Sequence, residues 1–287
     1  MTPQDFAFLR DMLKERSGAI VTEEKHYLLE CRLMPVAREH DMESMSDLVA
    51  ALRSPTAEDL RNQVTEAMTI NESFFYRDKT PFENFTKIMM PALLTARATS
   101  RRIRIWSAAA STGQEPYSLA MELTEMADKM AGWQTEIIGT DLSGEVLEKA
   151  KAGLYSQFEV QRGLPIQLLV KYFNQVGSLW QIDAAIKAMV RYRQFNLLDA
   201  YAGLGTFDVI FCRNVLIYFD PPTKKDILNR LASQLQPDGY LVLGAAETVI
   251  GLTDEFQPVK GTRGLYSRDG GGQAATHTQP GSMLAAS

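Results

Sequence analysis

Cysteine and histidine are scarce, two and three respectively in 287 residues. Cys31 and Cys212 lie far apart in apolar surroundings, which reads as two buried free thiols in a reducing compartment rather than a disulfide or a nucleophile. His26, His40 and His277 fall in no segment that otherwise looks like a site, and no metal is expected. No apolar run approaches the ~20 residues needed to span a bilayer, so membrane insertion is not expected. The N-terminus, MTPQDFAFLRDML, is amphipathic and acidic rather than a signal peptide, and the expected location is the cytoplasm. An excess of basic charge is also missing. The net charge is −5, and residues 1–90 hold 11 Lys and Arg against 16 Asp and Glu, which argues against a nucleic-acid partner.

What is present divides into two textures. Residues 1–70 carry apolar residues at three- and four-residue spacings, with helices expected over about 3–20, 23–40, 46–53 and 56–68. Residues 71–97 read as a linker and a connecting helix that opens on Thr80-Pro81. From 98 to 267, strands alternate with helices: RIRIWSAA (102–109), TEIIGTD (135–141), FDVIFCRN (207–214) and GYLVLGAAE (239–247). That alternation predicts an α/β fold with a mostly parallel sheet covered by helices on both faces. Residues 157–194 break the pattern and read as a small β insertion on the edge of the domain. The stretch 268–287 lacks an apolar pattern and reads as a disordered tail.

The first strand-loop-helix unit, IRIWSAAASTGQEPYS (103–118), carries the strongest local signal. Its loop is small-residued, so a ligand can lie against the backbone, yet it holds one glycine and no GxGxxG. Asp141 ends the second strand 28 residues after Gly113, placed either to accept both hydroxyls of an adenosine ribose or to cap the helix beginning at Ser143. A nucleoside without a diphosphate fits this pair, and S-adenosylmethionine (SAM) is one. Glu115 can meet its cationic amino-acid end or serve as an ordinary first-turn acid. Arg213-Asn214 and Tyr218-Phe219 follow the third strand, where they either line a pocket or cap the loop and fill the core. TINESFFYR (69–77) is similarly open between core and site.

Taken together, TINESFFYR, IRIWSAAASTGQEPYSLAM, IIGTDLS, NLLD (196–199), FDVIFCRNVLIYFD and PDGYLVLGAAE occur in the order seen in the CheR family, which this chain resembles over about residues 5–267. These are chemotaxis-receptor glutamate O-methyltransferases that use SAM and release S-adenosylhomocysteine. The resemblance implies an all-helical N-terminal domain joined to a Rossmann-like SAM-binding domain with a small antiparallel β-subdomain. It implies cofactor contacts from Asn71, Ser73, Arg77, Glu115, Asp141, Asn196, Leu197, Asn214 and Val215, with Arg77 and Tyr218 nearest the transferring methyl. Ser73 stands where the family commonly has Thr, so the hydroxyl is kept.

The implied partner is the methylation helix of a bacterial chemoreceptor, for which Arg32, Arg38, Arg53 and Arg61 are the candidate basic contacts. FNQVGSLWQID (173–183) lacks the Gly-x-Gly with which some members hold a receptor's C-terminal pentapeptide, so tight binding of that peptide is not expected. Two other readings keep the cofactor residues: a methyltransferase for another carboxylate or small molecule, and a catalytically idle SAM-binding regulator.

Overall fold

The computed structural model describes residues 1–268; the expected tail, apart from Arg268, lies outside the described residues. The chain opens with α1 (Pro3–Ser17), α2 (His26–Glu39), α3 (Met45–Leu52) and α4 (Glu58–Ala67). Capping boxes at Thr2–Asp5 and Ser44–Asp47 start α1 and α3 by satisfying backbone N–H groups that have no partner inside the helix. Leu9, Leu13, Leu29, Leu33, Leu48 and Val64 form the sealed centre of this helical unit. Cys31, expected inside, is exposed on α2, whereas Cys212 is buried. The core-facing residues of α2 are Leu29, Leu33, Val36 and Ala37, so Cys31 falls on the opposite face of that helix.

The connecting helix is not continuous. It comprises α5 (Thr80–Asn84), a π turn over Phe85–Met89 and α6 (Met90–Ala96). Pro91 has no N–H to return to the preceding turn, which accounts for the break.

The α/β unit contains β1 (Arg102–Ser107), α7 (Gln114–Glu125), β2 (Gln134–Asp141), α8 (Gly144–Ala152), β3 (Leu154–Ser156), α9 (Gln157–Gln161), α10 (Ile166–Tyr172), β4 (Phe173–Val176), β5 (Leu179–Ile182), α11 (Ala184–Ala188), β6 (Val190–Gln194), β7 (Phe207–Cys212), α12 (Pro221–Gln234), β8 (Leu235–Leu243), β9 (Gln257–Pro258) and β10 (Leu265–Ser267). The main sheet has the order β6-β2-β1-β7-β8-β10-β9, with every pairing parallel except those of β10, which runs opposite to its neighbours β8 and β9. Every residue of β7 is buried, as a strand covered on both faces requires.

The three-stranded antiparallel sheet is β3-β5-β4. Its limits differ from those expected. It begins with β3, and residues 190–194 belong instead to the main sheet, where Ile137 pairs with Val190 and Asp141 with Gln194. Edge strands carry charge on their open side, and the exposed Arg191 and Arg193 hid β6 from an apolar-run reading.

Candidate active site

The chain leaves β1 toward β2 and β6 but runs from β7 toward β8, so the sheet order reverses between β1 and β7. A crevice beyond the carboxyl ends of such strands is where open α/β sheets bind ligands. The loop after β1 is moulded to it. Ala108 N–H donates to Phe211 O (2.7 Å) and Ala110 N–H to Thr140 O (2.8 Å). Ser111 is left-handed (φ 48°), and its N–H donates to Asp141 Oδ2 (2.8 Å) while its hydroxyl donates to Asn71 O (2.7 Å). Gly113 has φ 94°, and a Cβ there would lie 2.7 Å from the Tyr192 hydroxyl oxygen, so only glycine fits.

Asp141 does not cap α8; Ser143 does, its hydroxyl accepting from Val146 N–H. The Asp141 carboxylate accepts from Ser143 N–H (3.1 Å) as well as Ser111 and faces the crevice. Burial raises its pKa above the ordinary value, opposed by these backbone donors.

TINESFFYR crosses from α4 to α5 along the crevice. Phe75 is fully buried, with its ring centroid 5.0 Å from that of Tyr155 and 5.5 Å from that of Phe173. Phe74 lies under the guanidinium groups of Arg162 (4.4 Å) and Arg77 (5.5 Å). The turn that follows is strained: Tyr76, Asp78 and Lys79 have φ of 52°, 68° and 51°. Each such residue costs about 1–3 kcal/mol and persists only where its surroundings hold it. Tyr76 N–H donates to Ser118 Oγ (3.1 Å), and Arg213 donates to Arg77 O (2.8 Å). The Arg77 side chain itself donates to Glu72 O (2.8 Å).

The third wall is the loop after β7. Arg213, its side chain 1% exposed, donates to Glu115 Oε2 (2.8 Å) and Asp78 Oδ2 (2.7 Å). The other Glu115 oxygen accepts from the Ser107 hydroxyl (2.8 Å). Beyond it, Glu247 holds the backbone with one buried carboxylate. Its Oε1 accepts from Val215 (2.9 Å) and Leu216 (2.7 Å), and its Oε2 from Asn214 (2.8 Å) and Gly244 (2.7 Å). Asn214 is left-handed (φ 58°), and Tyr218 ends the short 3-10 turn that follows. Burial raises the Tyr218 hydroxyl pKa, with Arg77 opposing, so the phenol stays protonated at neutral pH.

The helical unit closes the fourth side. Ile20 N–H donates to Tyr218 O (3.0 Å), and the Asn196 amide donates to Arg16 O (2.6 Å). Glu66 of α4 accepts from Gly144 N–H (3.0 Å) and Gln194 (3.1 Å). Asn71, Ser73, Arg77, Glu115, Asp141, Asn196, Leu197, Asn214, Val215 and Tyr218 all line this one cavity. The Asn196 side chain is spent on docking the helical unit and on Leu198 N–H (3.0 Å).

The four arginines named as receptor contacts stand in different surroundings, with Arg53 and Arg61 lining one depression and Arg32 the cavity. Arg32 lines the cavity and donates to Thr69 O (2.7 Å), Arg61 donates to Leu52 O (3.0 Å) and Ser54 O (2.6 Å), and Arg53 lies over Phe8 (4.3 Å). Among the described residues, Arg38 is exposed and makes no side-chain hydrogen bond or ion pair.

Residues 4–69 match the family model for the CheR methyltransferase all-alpha domain, and residues 71–265 match that for the CheR methyltransferase SAM binding domain. The chain is 42% identical over 270 residues to chemotaxis protein methyltransferase 1 of Pseudomonas aeruginosa, covering 92% of this chain and 97% of that one. It is 41% identical over 265 residues to chemotaxis protein methyltransferase Cher2 of Pseudomonas putida (91% and 96%). A chemotaxis protein methyltransferase of Vibrio anguillarum is 38% identical over 268 residues (92% and 96%).

The chain belongs to the CheR methyltransferase family.

It is a SAM-dependent methyltransferase, and the cavity chemistry fits that cofactor. Small residues line the β1 loop and Asp141 ends β2, while Glu115 brings a second carboxylate that Arg213 partly neutralises. Sequence reasoning gave no definite role to two CheR residues that build this cavity. Arg213 was legible as a charge directly after the apolar run Val209–Cys212, a position that demands a buried partner. Glu247 carried no such signal, because its four donors converge only in the folded chain.

Proposed function

We propose that this CheR methyltransferase methylates glutamate side chains on bacterial chemoreceptors, forming methyl esters in the cytoplasm as part of chemotactic adaptation. The observation that carries this reading is the juxtaposition of Arg77 and Tyr218 on a cavity wall that includes no histidine among the described residues. A glutamate carboxylate, with a pKa near ~4.3, is already ionised at pH 7 and needs no base. Bound SAM supplies an electrophilic sulfonium methyl; transfer breaks the S–CH3 bond, forms the O–CH3 bond and leaves the electron pair on sulfur as S-adenosylhomocysteine.

The residues of this chain position and desolvate. Arg77 holds the incoming carboxylate, and the protonated Tyr218 hydroxyl orients it. Asp141 accepts from the ribose hydroxyls, and Glu115 meets the ammonium. Asn71, Ser73, Asn196, Leu197, Asn214 and Val215 surround the rest of the cofactor. Clamping the carboxylate also stabilises the ground state, so Arg77 and Tyr218 contribute mainly orientation.

The test is incubation with radiolabelled SAM and receptor-containing membranes. Base-labile label on the receptor is expected, and base-resistant label would exclude an ester. Because the acceptor is ionised and Tyr218 stays protonated, single-turnover rates should be flat from about pH 6 to about 9 and fall only on the acid side. A rate that climbs steadily through pH 7 to 9 would reveal a base this reading lacks.

Receptor engagement should not depend on a pentapeptide tether. The β4–β5 turn is short, with Gly177 and Ser178 between the strands and no second glycine to form a gripping loop. Titration calorimetry with a Trp-containing receptor tail peptide should show no micromolar binding, and a micromolar Kd would refute the expectation.

A further inference from the structure

We propose that Arg213 is a positioning residue for methyl transfer: its buried guanidinium ties the Glu115 carboxylate to the backbone of Arg77 and so fixes where the Arg77 side chain stands. The inference rests on the role given to Arg77 above.

An arginine is this fully enclosed only when its charge is answered. Here Nη1 donates to Glu115 and Nη2 to both Asp78 and the Arg77 carbonyl, while Nε, also buried, has no partner. The fork therefore joins three points that sequence keeps apart: the first turn of α7, the left-handed turn after TINESFFYR, and the end of β7. Arg77 has little else to place it. Its side chain makes one hydrogen bond, to a carbonyl of its own segment, and its neighbours Tyr76, Asp78 and Lys79 all have positive φ. The turn is also held by Lys79 N–H to Tyr76 O (2.9 Å) and by Tyr76 N–H to Ser118 Oγ (3.1 Å), but among the described residues only Arg213 grips the Arg77 carbonyl itself. A lysine supplies the charge but not the planar fork, so it can answer Glu115 or hold the carbonyl, not both with the same geometry.

Arg213→Lys separates charge from geometry. Turnover should fall by about 30-fold while the Kd for S-adenosylhomocysteine, read by calorimetry, changes by less than about threefold. In an Arg77→Ala background the same substitution should alter the single-turnover rate by less than about threefold, because the two act through one side chain. Asp78→Asn, at a partly exposed site, is the second variant in case Arg213→Lys folds poorly; a loss of about fivefold in turnover with unchanged Kd is expected. Turnover in both variants within twofold of wild type overturns the proposal. So does an equal loss in the Arg77→Ala background, which marks a general structural effect. Near-normal turnover in Arg77→Ala alone sinks the role of Arg77 and this inference with it, whereas a crippled Arg77→Ala beside a normal Arg213→Lys sinks the inference only.

Discussion

Arg77→Ala is expected to lower turnover by about 100-fold or more while leaving the chain folded. The rate effect follows from what the side chain positions. Misplacing a reacting group by about 1 Å can cost 10²-fold, and in the proposed mechanism a carboxylate without Arg77 would have only the Tyr218 hydroxyl to orient it. The stability effect is small for a different reason. Arg77 is half-exposed, and truncation removes one hydrogen bond to Glu72 O and a stacking contact on Phe74, together on the order of 1 kcal/mol. For a chain of this length that shifts Tm by about 2–4 °C. Measured turnover near the wild-type value would remove Arg77 from the mechanism. A collapse of the thermal transition would instead make it a structural residue.

Glu247→Gln should act the other way, on fold and cofactor binding together. The carboxylate accepts four backbone N–H groups, and an amide of the same shape keeps one acceptor oxygen while turning donors toward two of those N–H groups. Leaving two buried donors unsatisfied costs about 1–3 kcal/mol each, so a loss of about 4 kcal/mol is expected. Gly244 and Asn214 cannot easily absorb the change. A Cβ at Gly244 would lie 2.7 Å from Glu247 Oε2, and Asn214 already holds a left-handed backbone. Since the released loop carries Asn214, Val215 and Tyr218, the Kd for S-adenosylhomocysteine should rise by about tenfold or more, in step with the lowered Tm. Calorimetry measures both quantities. An unchanged midpoint with unchanged affinity would mean that the loop is held by its own turn geometry, and the assignment to Glu247 would fall.

These two residues also mark how far the sequence can be read. The buried strands β1, β2 and β7 announce themselves as apolar runs because helices cover both of their faces, and α1 through α4 follow from helical spacing and caps. The tenth strand, three residues long, and β6, with its exposed arginines, carry too little apolar signal to stand out. Asp141 and the glycine-poor loop before α7 pointed to a nucleoside from local pattern alone. Arg77 and Tyr218 stood open between core and site on local pattern and took their roles from family resemblance, since an arginine after three aromatics has no spacing that says what it faces. Glu247 lay beyond both routes. A carboxylate that serves backbone N–H groups 31 to 33 residues earlier leaves no trace in neighbouring residues.

The docking of α1 has a consequence for exchange among relatives. Gly18 ends that helix with φ 73°, and a Cβ there would come within 2.8 Å of the Phe219 ring, so helical unit and catalytic loop meet with no room for a side chain. Ile20 then bonds the carbonyl of Tyr218 itself. A chimera that takes its N-terminal half from another member would therefore replace a wall of the cavity, and its success depends on carrying the Gly18–Ile20 seam across intact.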